Sequence, residues 1–191
     1  MYSKPSDKLK YGGKVYRLTL SFDRVLCAIE AFRRGDLMEE HALDLSISLL
    51  VRGNVRPQAK AGLLSAIFKS IEDKKPETRK KTRCVDFVQD EKYIYASFMQ
   101  AYGMDLYRTK PHWTEFVQLF EGLPSDTIIK QIMSIRDQDI PKATKDNGKH
   151  IRDLLEAKAR YRLDIPEEER KETFKSGLKD LAQFLFSQGG R

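Results

Sequence analysis

Apolar residues recur every three or four positions through most of the chain, a spacing that predicts a mainly α protein. Phe22, Val25, Leu26, Ile29 and Phe32 mark one helix, with Ser21 as its N-cap and Gly35 at its end. Asp36 and Glu39 suit the start of a second, whose broad apolar stripe comprises Met38, Ala42, Leu45 and Leu49 with Leu43, Ile47 and Leu50, ending at Gly53. Pro57 fits the first turn of a third, which turns Leu63, Leu64, Ile67, Phe68 and Ile71 to the core. Ahead of these helices, Tyr11 to Leu20 has a Gly12-Gly13 turn between short segments of strand character, which predicts a small hairpin that must pack on the helices to persist.

The pattern is richest from Tyr93 to Pro124. This stretch holds the only tryptophan, Trp113, together with Tyr93, Tyr95, Phe98, Tyr102, Phe116 and Phe120, and Tyr107 in the connection. It reads as two helices joined by a turn. The first runs from about Asp86 to Tyr102, with Phe87, Ile94 and Phe98 along one line and Val88, Tyr95, Met99 and Tyr102 along an adjoining one, together a wide buried face. Gly103 stops it, Pro111 opens the second, and Trp113, Phe116, Val117 and Phe120 share that helix's inner side. Such aromatics serve as a core in preference to a stacking platform, and Trp113 is expected between the Asp86 helix and those that follow.

Farther on, Ser125 or Asp126 caps a helix that buries Ile128, Ile129, Ile132, Met133 and Ile135. Arg136 closes it, placed to complement the helix dipole or to pair with a carboxylate. Another helix spans about Lys149 to Arg162, using Ile151, Leu154, Leu155 and Tyr161. A last one starts at Pro166, behind Glu167 to Glu169, and repeats Phe174, Leu178, Leu181 and Leu185 at helical intervals. That stripe either folds back on its own domain or enters a partner's groove.

The organisation predicted is an N-terminal helical part with the hairpin over 1–71, a basic linker over 72–84, an aromatic-rich helical core over 85–163 and a C-terminal amphipathic helix over 164–191. Ile94-Tyr95-Ala96, Phe98, Tyr102-Gly103-Met104-Asp105-Leu106, His112-Trp113, Phe116, Leu119, Gly122-Leu123-Pro124, Thr127 and Arg136, in that order, resemble the bacteriophage gene-product-fifteen family. The resemblance is extended over about Asp86 to Arg136 and looser on either side. It implies a protein of tailed phages infecting Gram-positive bacteria, encoded among the tail genes near the tape-measure gene. The implied role is that of a tail assembly chaperone in the cytoplasm of the bacterial host, with the tape-measure or tail tube protein as client and self-association a further expectation.

Charge adds one alternative. The 191 residues carry a net charge of +7, but residues 1–84 hold 18 Lys or Arg against 10 Asp or Glu, +8, and residues 85–191 hold 17 against 18, −1. Within the first part, Lys74, Lys75, Arg79, Lys80, Lys81 and Arg83 crowd a segment without apolar side chains. They are candidates for neutralising phosphates, although no aromatic interleaves with them and a solvated linker is the preferred reading. Nucleic-acid binding through the basic N-terminal half is therefore the alternative to protein binding.

Chemistry is sparse in the sequence. His41, His112 and His150 stand far apart, Cys27 and Cys84 lack metal-ligand spacing, and no nucleophile elbow or phosphate-cradling glycine loop occurs. No metal, cofactor or catalytic residue is expected, and the protein is read as non-enzymatic. There is no run of about 18 apolar residues and no apolar segment of signal-peptide type at the start, so no membrane association is expected.

Overall fold

A computed structural model of the chain describes residues 6–33, 37–71, 84–141 and 147–164. The fold is mainly α, and its described residues form eight α-helices, one 3-10 turn and a small three-stranded sheet. They fall into two compact units. One takes the described residues of 6–71 and 107–121, the other those of 84–106 and 122–164.

In the first unit, β1 (Lys8–Tyr11) pairs antiparallel with β2 (Lys14–Leu18) across Gly12 and Gly13, whose φ of 54° and 77° are the positive values that a tight hairpin turn requires. β3 (Val51–Arg52) adds to the other side of β2, a strand that the helical reading up to Gly53 did not anticipate. The helix before it, α2 (Glu39–Leu50), ends at Leu50 instead. With α1 (Phe22–Arg33) it packs through small residues. Ala28 and Ala31 of α1 and Ala42 and Ser46 of α2 are buried, and the Ser46 hydroxyl reaches both the Ala42 carbonyl at 2.7 Å and the Ala28 carbonyl at 3.3 Å. The broad stripe expected on α2 is correspondingly narrower. Ile47 and Leu50 are in the core, while Met38 and Leu45 are exposed.

The turn at Pro57–Ala59 leads into α3 (Lys60–Ile71), which buries Leu63, Leu64, Ile67 and Phe68. Tyr11 of β1 lies directly over Gly62, where no side chain larger than hydrogen fits without moving the ring. A short helix, α5 (Leu106–Thr109), precedes α6 (Trp113–Glu121), whose Trp113, Phe116 and Phe120 are buried. Phe116 stacks on Phe22 of α1 at 4.6 Å, and the Trp113 amide donates to the Leu20 carbonyl at 2.7 Å. The aromatic stretch thus contains the two longer helices expected, with the short α5 in their connection, and α6, which bears Trp113, clusters with the N-terminal unit.

The second unit is built on α4 (Glu91–Tyr102), α7 (Ile128–Asp137) and α8 (Gly148–Arg160). Gly103, at φ 62°, gives α4 its left-handed C-cap. Ile94, Ser97 and Phe98 of α4 are buried, as are Ile129 and Ile132 of α7 and Leu154 of α8. The C-terminal helix predicted from Pro166 lies outside the described residues.

Candidate protein-binding surface

α4 begins later than its apolar pattern suggests because Asp86 caps a separate turn ahead of it. The Asp86 carboxylate accepts from the amides of Val88 at 2.9 Å and Gln89 at 3.0 Å, and the Asp86 amide donates to Asp90 at 3.0 Å. Asp90 then carries the main polar contact of the unit. Arg136, in the last turn of α7, holds its carboxylate bidentately at 2.6 and 2.8 Å, and the same guanidinium donates to the carbonyls of Tyr161 at 2.6 Å and Cys84 at 2.9 Å. Arg136 and Asp90 side chains are only 9% and 2% exposed, so Arg136 has a specific internal partner.

A second contact sets the rotation of α4. Ser97 donates to the Tyr93 carbonyl at 2.7 Å and accepts from the Ile129 amide at 3.1 Å, so a side chain of α4 satisfies one of the open amides at the start of α7. Thr127, the N-cap residue of α7, turns its own hydroxyl back to the Pro124 carbonyl at 2.7 Å. With Ile94, Ser97 and Phe98 turned inward by these contacts, the adjoining line of α4 faces out. Val88 is 51% exposed, Met99 41% and Tyr102 38%, with Tyr95 half-buried between them.

This corrects the expectation that the Val88, Tyr95, Met99 and Tyr102 line belongs to the core. Three of its members follow at i, i+4 and i+7 on one side of a helix, with Val88 continuing the line into the preceding turn. Scattered exposed apolar side chains are ordinary on a soluble protein, but tyrosine and methionine aligned along one helix have the composition of an interface centre. Methionine adapts to irregular partners, and tyrosine offers a large apolar body with a polar tip. A stripe of this kind suits an amphipathic helix laid alongside it.

Phe174, Leu178, Leu181 and Leu185 lie outside the described residues, and so do Lys74, Lys75, Arg79, Lys80, Lys81 and Arg83. Among the described residues no group of three or more His, Cys, Asp or Glu side chains is placed to hold a metal ion, and no helix is long and apolar enough to cross a membrane. The α4 stripe was visible in the sequence as a second apolar line beside the first. What marked it as a surface is the pair of polar contacts, Ser97 with Ile129 and Asp90 with Arg136, that turn the other line inward.

A family model described as "Bacteriophage Gp15 protein" matches residues 6–163. No match was found among curated proteins or among solved structures.

Proposed function

The chain belongs to the bacteriophage Gp15 protein family, and from that premise we propose that it is a non-enzymatic tail assembly chaperone which binds the tape-measure protein during virion assembly in the host cytoplasm. The observation that supports this reading is the exposed line of Met99 and Tyr102 on α4 with Val88 in the turn before it. A tape measure is a long helical chain whose apolar faces must be kept from one another until tube subunits enclose it. A helix face with an aligned apolar stripe meets that need by pairing side by side with a client helix. The stripe of Phe174, Leu178, Leu181 and Leu185 read from the sequence is a second candidate for the same use.

Co-expression with the tape-measure protein of the same phage, followed by pull-down and light scattering, tests the proposal. The wild-type chain is expected to hold the client in a soluble complex, and Met99→Asp with Tyr102→Asp to release it while the chain itself stays folded. Loss only in Leu178→Asp with Leu181→Asp would move the client site to the C-terminal stripe. Absence of a complex with any tail protein would sink the chaperone reading.

A further inference from the structure

The solvent face of the small sheet carries five side chains, Lys8, Lys10, Val15, Arg17 and Arg52, and four of them are cations. Strand alternation puts Leu9, Tyr16, Leu18 and Val51 on the other side, where Tyr16, Leu18 and Val51 are buried and Leu9 is half-buried, and leaves all five of these exposed. The register aligns three of the cations in one row. Lys8 stands opposite Arg17, and Arg17 stands opposite Arg52, so the row crosses all three strands at the usual spacing of roughly 4.8 Å per strand. Among the described residues no carboxylate forms an ion pair with any of the four. Arg52 donates to the Thr19 hydroxyl at 3.2 Å.

Like charges directly opposite one another destabilise a sheet, and a sheet this short has little stability to spare. Lysine on an edge strand has a structural purpose, since it discourages pairing with another chain, and that accounts for Lys8 and Lys10 on β1. It does not account for Arg17, which sits on the central strand with a cation on either side.

We propose that this face docks an acidic, extended segment of a partner protein. Alternate residues of such a segment lie roughly 7 Å apart, the repeat at which Lys8 and Lys10 follow along β1, so a segment running along the strands brings carboxylates at every second position over the face, with Arg17 and Arg52 reaching them from the neighbouring strands. Arg17 and Arg52 supply forked donors that match a carboxylate's two oxygens. Val15, 57% exposed beside them, offers an apolar contact to the residues in between. Nucleic acid fits less well. No aromatic on the face stacks a base, and four cations are fewer than the roughly six to ten phosphate contacts of a typical strong DNA binder.

The surface belongs to the first unit and is independent of the α4 stripe, so either proposal can fail alone. Fluorescence anisotropy with a labelled peptide bearing glutamate at every second position, run beside a random-sequence DNA duplex of equal charge, tests it on the full-length protein. The peptide is expected to bind at low salt, to weaken as salt rises, and to lose about tenfold or more in affinity in Arg17→Gln with Arg52→Gln. Lys8→Gln with Lys10→Gln is expected to weaken it too, which gives a second reading if the arginine variant misfolds. Lys149→Gln on α8 should leave binding unchanged. Tighter binding of the duplex than of the peptide, lost in the same variants, would overturn the proposal in favour of nucleic acid. Absence of peptide binding, or binding that both sheet variants retain, would overturn it outright.

Discussion

Arg136 and Asp90, 46 residues apart in sequence, meet in a two-pronged ion pair with N···O distances of 2.6 and 2.8 Å. The pair ties the last turn of α7 to the N-cap of α4, and the remaining guanidinium donors fasten the chain at Cys84 and at Tyr161. Gln89 and Asp164 tie the same two chain ends again, with amide and carbonyl contacts at 3.0 and 2.8 Å. Arg136 therefore organises the second unit.

Removing that guanidinium leaves a buried carboxylate without its counter-charge and takes a donor from two carbonyls. Arg136→Met should cost about 3–5 kcal/mol, the range for breaking a buried pair by deleting one member. Arg136→Lys should recover little, because an ammonium cannot reproduce the planar fork that reaches Asp90, Tyr161 and Cys84 together. Urea denaturation of both variants measures this. A loss below about 1 kcal/mol for the methionine variant would mean that water replaces the pair at little cost.

Gly62 and Tyr11 offer a test of how closely the hairpin packs on α3. A β-carbon at Gly62 would collide with the Tyr11 hydroxyl, so Gly62→Ala has to push the ring aside. In the presence of Tyr11 the change should be neutral or destabilising. In a Tyr11→Ala background the same change should stabilise by up to about 1 kcal/mol, the intrinsic preference of a helix for alanine over glycine. A double-mutant cycle by thermal unfolding isolates the coupling. Additive effects would show that Tyr11 does not rest on Gly62.

The helical periods, the Gly12-Gly13 hairpin and the Gly103 cap were all legible because each is a local signal within one or two turns of chain. The faces were less so. On α4 two apolar lines lie side by side, and sequence alone gives no reason to bury one and expose the other. Ser97 decides it through an amide that belongs to α7. On α1 and α2 the small residues Ala28, Ala31, Ala42 and Ser46 are buried along with Val25 and Leu50, because the helices approach closely there, whereas the larger Met38 and Leu45 of the apolar pattern are exposed. β3 was missed since two residues are too few to show a period. The cationic row is likewise a product of register: Lys8, Arg17 and Arg52 are unremarkable in sequence and become neighbours only when the strands pair.

Asp23 should make stability depend on acid. Burial alone would raise its carboxyl, but the neighbouring Ser21 hydroxyl, Lys110 and the Arg24 amide, with the Lys110 charge, outweigh that and hold it below the ordinary 3.8. Lys110 Nζ lies 2.9 Å away. A carboxyl whose pKa is depressed by folding stabilises the folded state fully above its unfolded value and loses that contribution as pH falls through the folded one. The melting temperature of Asp23→Asn should therefore lie below that of the wild type at neutral pH, and the gap should close as pH drops from 3.8 downward. A gap that stays constant into strong acid would assign the effect of the substitution to something other than ionisation.

Reversing the central charge of the sheet separates its cost in stability from its use in binding. Arg17 stands between Lys8 and Arg52, so Arg17→Glu replaces two like-charge pairs by two opposite-charge pairs. Each opposite-charge cross-strand pair is worth about 0.2–1 kcal/mol, so the two new pairs should add up to about 2 kcal/mol at low salt on top of the relieved repulsion, less the lower strand preference of glutamate. The gain should shrink as salt screens the row. Arg17→Thr removes the repulsion without creating attraction, and should fall between the two. If the row is a binding surface, the same Arg17→Glu that raises stability must weaken the glutamate peptide most of all, because it puts a negative charge where a partner carboxylate would lie. A variant that gains stability and keeps its affinity would show that the row binds nothing acidic. One that loses stability would mean that Arg17 makes a stabilising contact outweighing the repulsion from its two neighbours.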